Sequence, residues 1–135
     1  MKVRIKLLTP TAKLPTRNKG NGFDIYADED ITIYKNDLCL VSTGVSSSFK
    51  NGVIILKDRS GMALKGFEVH AGVIDEDYRG EWKVLLRNKG LDYKINKGDR
   101  IAQAIVIKQP TIFFDEVEEL DATERGSGGF GSTGK

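Results

Sequence analysis

The segment Gly72-Val73-Ile74-Asp75-Glu76-Asp77-Tyr78-Arg79-Gly80-Glu81 sets three consecutive carboxylates and a tyrosine between a β-type run and a glycine turn. A carboxylate at such a tip can take a proton from water or hold a metal, while the phenol ring shapes a pocket. As an isolated segment it reads equally as a solvated acidic turn. Lys57-Asp58-Arg59-Ser60-Gly61-Met62-Ala63 carries a different chemistry. A strand gives way there to a short helix, whose first N–H groups can bind an anion beside the planar charged fork of Arg59. The plainer alternative is that Ser60 caps the helix and Arg59 is an exposed charge. Gln103, inside the apolar run that follows Gly98-Asp99-Arg100, is either satisfied internally or turned to a polar ligand. Asp24 interrupts the apolar segment Gly22-Phe23-Asp24-Ile25-Tyr26-Ala27, where an outward-facing position is the default.

The sequence closes with Arg125-Gly126-Ser127-Gly128-Gly129-Phe130-Gly131-Ser132-Thr133-Gly134-Lys135, in which five glycines let backbone N–H groups approach an anion. Arg125, Ser132, Thr133 and Lys135 add donors, and the ring of Phe130 can cover a planar base. Composition alone also fits an ordinary Gly/Ser-rich end. Gly129 to Lys135 has the spacing G-x-x-x-x-G-K but lacks the Ser/Thr and the helix that must follow a P-loop lysine. A Walker-type loop is therefore not expected, while a lid closing over a nucleotide from outside stays open beside the plain Gly/Ser-rich end.

Composition limits what else the protein can be. With 135 residues it makes one domain, and 21 basic residues against 19 acidic ones give a net charge of +2, spread without blocks. This predicts neither nucleic-acid nor membrane binding, while local phosphate pockets stay open. No apolar run reaches the length of a membrane span, so a soluble, cytoplasmic protein is expected. Cys39 and His70 are the sole residues of their types, which excludes an internal disulfide and a Cys/His zinc site. Any metal would be a hard cation such as Mg²⁺, held by carboxylates, water and substrate oxygens. Cys39 is expected as a small buried hydrophobe, and His70 and Trp82 as structural residues without a chemical role.

The elements that must position these groups are short and β-rich. Strands are predicted near 3–8, 22–27, 31–33, 38–42, 45–49, 53–57, 68–70, 72–74, 82–88, 100–107 and 112–118, with turn residues in the gaps. One short helix over Ser60–Lys65 ends at Gly66. The run Ile101–Ile107 fits a buried helix by periodicity, but its β-branched content favours a strand. Such a pattern gives an all-β sandwich or jelly roll over residues 1–122, with residues 123–135 as a mobile C-terminal arm.

Taken in order, five segments resemble the motifs of the trimeric dUTPases (deoxyuridine triphosphate diphosphatases). They are Gly22–Ala27, Arg59–Ala63, Gly72–Gly80, Gly98–Gln103 and Arg125–Gly134, and the likeness runs from about residue 3 to the end. The resemblance implies a homotrimer with active sites shared between subunits, which cleaves dUTP to dUMP and pyrophosphate with Mg²⁺ on the triphosphate. It further implies Asp75 as the general base for water attacking the α-phosphorus, Tyr78 against the deoxyribose, and the backbone at Gly72 as the uracil reader. Asp24 would order the metal's waters, and Arg59, Ser60, Gly61 and Gln103 would contact phosphates. Arg125, Ser132 and Thr133 would grip the distal phosphates under Phe130. The sequence departs from the family pattern at Asp58 before Arg-Ser-Gly and at Val69-His70 before Ala71-Gly72, and Lys135 falls beyond the fifth motif. The related dCTP deaminases share the fold but need a further acid/base at the pyrimidine, and neither Glu68 nor Glu76 is assigned to that role. A binding module that keeps the pocket without turnover is the alternative from another class.

Overall fold

The computed structural model describes residues 1–134, and the Lys135 donor suggested by the sequence lies outside them. The strands are β1 (Arg4–Leu7), β2 (Phe23–Tyr26), β3 (Ile31–Ile33), β4 (Leu38–Val41), β5 (Val45–Ser48) and β6 (Gly52–Lys57). After the helix α1 (Ser60–Leu64) come β7 (Phe67–His70), β8 (Val73–Ile74), β9 (Val84–Asn88), β10 (Tyr93–Ile95) and β11 (Arg100–Lys108). They assemble into a four-stranded sheet β2-β11-β6-β8, a three-stranded sheet β4-β9-β7, and the pairs β1-β5 and β10-β3. All pairings are antiparallel.

Alternation explains the packing. In β6, Gly52, Ile54 and Leu56 point inward while Val53, Ile55 and Lys57 point out, as a period of two requires. The core between the layers gathers Ile25, Ile33, Ile54, Leu56, Phe67, Trp82, Leu86 and Ile101. Trp82 is a core residue, 2% exposed, and its indole N–H donates to Ser47 Oγ at 3.0 Å. A buried ring of that size contributes much of the apolar burial, and its one polar atom is satisfied.

Three sequence expectations need correction. The predicted strand over 112–118 is absent: Ile112, Phe113, Phe114 and Val117 stand 53–98% exposed, with no pairing partner among the described residues. The apolar, aromatic run Ile112-Phe113-Phe114 suits a strand by residue type, but a strand also needs a neighbour to accept its backbone bonds. Conversely, β10 was missed because three residues between turns give too short a pattern, and it is pinned by pairing with β3. Cys39 is half-buried on β4 rather than enclosed; burial raises its thiol pKa, helped by the nearby charges of Asp37 and Glu29. The ambiguous run 101–107 is strand, lying between β2 and β6.

The N-terminal loop is tied to the sandwich through Asp28, whose carboxylate accepts hydrogen bonds from Thr9 and from Thr11, the latter at 2.7 Å. Burial pushes its pKa up, but these bonds and the charge of Lys97 outweigh burial and hold it below the usual aspartate value. A lowered folded-state pKa stabilises the fold above the unfolded value of about 3.9, and that contribution is lost as pH falls through the folded value. Asp28→Asn should therefore lower stability at pH 7 by up to about 1 kcal/mol, with the difference shrinking below about pH 4. Denaturant titrations of both proteins at pH 7 and pH 3 check this.

Candidate active site

The acidic segment after β8 lines a cavity. Gly72, Asp75 and Tyr78 border a space of about 390 Å³, together with His70, Leu40 and Leu85. Its rim is made by the turn between β7 and β8, where Ala71 and Gly72 adopt positive φ values of 54° and 90°. At Gly72 a Cβ would lie 2.6 Å from the Leu56 carbonyl oxygen, so no other residue lets this backbone approach β6 so closely. Leu56 N–H in turn donates to Gly72 O at 2.7 Å. Gly72→Ala should cost about 1–3 kcal/mol through combined φ strain and displacement of the turn, read as a lowered denaturation midpoint.

Asp75 is exposed at this cavity, and among the described residues its side chain makes no ion pair. Its neighbour Glu76 is occupied structurally: one carboxylate oxygen accepts the Asn51 N–H at 2.6 Å, tying the segment to the β5–β6 turn. Tyr78 donates its phenol to the Glu81 carbonyl at 3.1 Å, and its ring lies where a side chain on Gly80 would otherwise stand. Of the three carboxylates, Asp75 is thus the one at the cavity with its oxygens uncommitted. That geometry suits a group that must accept a proton from water.

A second, polar cavity of about 280 Å³ is lined by Arg59, Gly61, Lys65, Tyr93 and Arg100. No side chain caps α1, and Arg59 rather than Ser60 holds the N-cap position. The first helical N–H groups, those of Ser60 and Gly61, lack intrahelical partners, and the Ser60 side chain is exposed. Arg59 Nε donates to Asp24 Oδ1 at 2.8 Å, and Arg100 lies 3.4 Å from Asp24 Oδ2. The single carboxylate of β2 thereby fixes two guanidinium groups at one place. Arg100 had no individual role in the sequence reading. Its signal was its place directly after the Gly98-Asp99 turn, opposite Tyr26 in the register of β11 and β2.

Gln103 is partly committed within the chain, its amide donating to the Asp58 carbonyl at 2.7 Å. Asp58 also resolves one departure from the family pattern. Its carboxylate accepts the Val69 N–H at 2.6 Å, so its charge serves to bind β7 to the turn before α1. The other departure, Val69-His70, places the imidazole of His70 at the first cavity, with Nε2 3.5 Å from Glu68 Oε2.

The two cavities share no lining residue. Gln103 sits opposite Lys57 on β6, while Ile74, just before Asp75, sits opposite Ile54. Three residues of strand separate those positions, about 10 Å. Nor does the tail join either cavity. Arg125 bonds back to Gly128 O at 2.9 Å, Ser132 Oγ accepts from Gly129 N–H at 2.9 Å, and Phe130 is fully exposed. Thr133 lies in the same succession of turns.

The fold is an antiparallel, jelly-roll-like β-sandwich with two separate cavities, the second lined by the cationic Arg59, Lys65 and Arg100. The dUTPase family profile matches residues 11–134. A deoxyuridine 5'-triphosphate nucleotidohydrolase of Helicobacter pylori strain P12 is 43% identical, over 99% of this chain and 97% of its own. The mitochondrial human enzyme of the same name is 46% identical over all of this chain and 56% of its own length. A mutant dUTPase of Staphylococcus bacteriophage 80alpha, solved with dUpNHpp, superimposes with a TM-score of 0.92 at 27% identity, covering 99% of both chains. The chain belongs to the dUTPase family, as an enzyme with the jelly-roll-like fold of that family.

Proposed function

We propose that this chain hydrolyses dUTP to dUMP and pyrophosphate, limiting uracil incorporation into DNA and supplying dUMP for dTMP synthesis. One observation carries the reading: in a chain of the dUTPase family, Gly72, Asp75 and Tyr78 line a single cavity. Asp75 takes the proton of the water that attacks the α-phosphorus, and the positioned carboxylate lowers the barrier as general base. Tyr78 packs on the deoxyribose, leaving no room for a ribose 2′-hydroxyl. The backbone at Gly72 reads uracil. Arg59, Ser60, Gly61 and Gln103 hold phosphates, where cationic and N–H donors offset charge that builds on the leaving oxygens. Residues 123–135 form an arm distinct from the body of residues 1–122. It closes with Arg125, Ser132 and Thr133 on the distal phosphates and Phe130 over the base.

The donor set fits Mg²⁺ bound chiefly by substrate. Among the described residues no group of three or more His, Cys, Asp or Glu side chains gathers, so no all-protein cage is present. Mg²⁺ commonly takes one or two carboxylates plus phosphate oxygens and retained waters. Asp24 supplies the carboxylate, and because Arg59 and Arg100 engage its oxygens it acts through water. When bound, the ion neutralises phosphate charge and fixes the conformation of the triphosphate.

Two features support a homotrimer with shared sites. Asp75 and the phosphate ligands lie at separate cavities of one chain, so neighbouring copies are needed to complete a site. The outer face of the four-stranded sheet is also apolar. Ile105, Ile55 and Val73 stand side by side across three strands, flanked by Ile107 and Val53. Val73 and Ile107 are 57% and 43% exposed, a surface that association between copies would cover. No nucleic-acid or membrane partner enters the reading, and no helix among the described residues is long and apolar enough to cross a membrane. A cytoplasmic location completes the proposal.

The deaminase alternative loses its candidate groups. Glu76 is held by Asn51, and Glu68 is paired with Lys89 at 3.0 Å. Incubation with dUTP, dCTP and UTP in Mg²⁺, followed by chromatography, tests the proposal. Only dUMP, formed from dUTP alone, is expected. Formation of dUMP from dCTP would establish the deaminase, and absence of any product the binding module.

A further inference from the structure

We propose that Arg79 is a positioning residue for the reaction, its guanidinium closing the turn that holds Asp75 and Tyr78 at their places on the cavity. The inference rests on the dUTP reading above and extends it to a side chain to which that reading gives no role.

The turn has little else to hold it. Ile74 before it and Trp82 after it are anchored in the core, 6% and 2% exposed, but every residue from Asp75 to Arg79 is exposed. A segment without buried side chains keeps its shape through hydrogen bonds alone. Tyr78 N–H donates to the Asp75 carbonyl at 3.2 Å, which makes Asp75 the first and Tyr78 the last residue of one four-residue turn. The shape of that turn therefore sets the carboxylate relative to the phenol ring. Its closing bond is at the long end of the range for an N–H donor. The bond from Asn51 to Glu76 fastens the segment to the β5–β6 turn, and that from Tyr78 to Glu81 steadies the ring, but neither spans Asp75 to Tyr78.

Arg79 supplies a firmer closure. Its Nη1 donates to the Glu76 carbonyl at 2.7 Å and to the Tyr78 carbonyl at 3.1 Å, on the second and fourth residues of the turn. A charged donor makes the stronger kind of hydrogen bond. The direction of the side chain matters as much. Three carboxylates occur in the four residues before Arg79, yet among the described residues it forms no ion pair with any of them. Arg79 lines a separate cavity with Arg4, Lys6, Ser46 and Ser48 on the β1-β5 pair, and that cavity shares no lining residue with the one at Asp75. It thus fixes the backbone of the turn and leaves the carboxylate oxygens of Asp75 free to accept a proton.

A general base works only within about 2.6–3.2 Å of the proton it takes, directly or through one water, whereas a ring packed on a sugar tolerates a larger displacement. Misplacement by about 1 Å can cost about 10²-fold in rate. Loosening the turn should therefore appear in kcat before it appears in binding.

Steady-state hydrolysis of dUTP in Mg²⁺ by the full chain, paired with calorimetric binding of its α,β-imido analogue, tests this. Arg79→Ala should lower kcat about ten- to thirty-fold, with the dissociation constant of the analogue within about three-fold and the denaturation midpoint unchanged. Because both bonds come from one nitrogen, an ammonium with three donors can replace it, and Arg79→Lys should recover most of the loss. In the Asp75→Asn background Arg79→Ala should not lower the residual rate further, since the group it positions is gone; a merely structural arginine would lower both alike. An unchanged kcat in Arg79→Ala overturns the inference, as does an equal loss in the Asp75→Asn background, and either result leaves the dUTP reading intact. Failure of the unaltered chain to hydrolyse dUTP overturns that reading and this inference with it.

Discussion

Asp75→Asn is expected to bind dUTP nearly as well as the unaltered chain but to turn it over about 10²–10⁴-fold more slowly, the usual cost of losing a general base. The substitution keeps the size and shape of the side chain and removes its capacity to take a proton. Binding should survive because the phosphate and base contacts come from other residues, among them Arg59, Ser60 and Gly72. Folding should survive as well, since Asp75 is exposed and its side chain makes no ion pair among the described residues. The expected signature is a fall in kcat with little change in the dissociation constant of a non-hydrolysable analogue. Near-normal turnover would remove Asp75 from the reaction. A matching loss of binding would make it a substrate ligand instead.

Deleting residues 125–135 should leave the body folded and associated while activity falls by about 100-fold or more. The folding half follows from the tail's bonding. Arg125 to Gly128 and Gly129 to Ser132 are contacts within the segment, and Gly126 donates only to the exposed Thr123, so among the described residues its removal breaks no side-chain hydrogen bond to the sandwich. Its catalytic half follows from charge. Distal phosphate oxygens would lose Arg125, the hydroxyls of Ser132 and Thr133 and a set of backbone donors, and the site would stay open to water. Each lost donor to developing charge in an enclosed site typically costs about 10²–10³ in rate. Size-exclusion chromatography and steady-state assays of the truncated chain separate the two halves. Full activity after truncation would leave the arm without a role in closure.

The β architecture was legible because strand period and turn chemistry agree over most of the chain, as at Asn36-Asp37 before β4 and Lys50-Asn51-Gly52 entering β6. Where they parted, tertiary pairing decided. Tyr93–Ile95 is strand because β3 lies beside it, and residues 112–118 are not, because no strand among the described residues pairs with them. Local pattern carries no information about the availability of a neighbour.

At the site the picture is more uneven. Asp75, Tyr78 and Gly72 were expected together and line one cavity, since a short strand and its turns keep them within a few residues. Arg59 and Gly61 likewise share a cavity by proximity in sequence. The bond from Arg59 to Asp24, the commitment of Gln103 to Asp58 and the turning of Asp58 onto Val69 join segments far apart in the chain. Spacing could not reveal them, because the first two depend on β11 lying between β2 and β6 and the third on how α1 returns the chain to β7. The place of His70 beside Leu85 and Leu40 is likewise set by the order of β4, β9 and β7.

The central claim is that water, activated by Asp75, attacks the α-phosphorus of dUTP. Hydrolysis in ¹⁸O-labelled water with Mg²⁺, followed by mass spectrometry of both products, addresses it directly. One ¹⁸O atom in dUMP and none in pyrophosphate is the expected result. Label in the pyrophosphate would place the attack on the β-phosphorus and contradict the account.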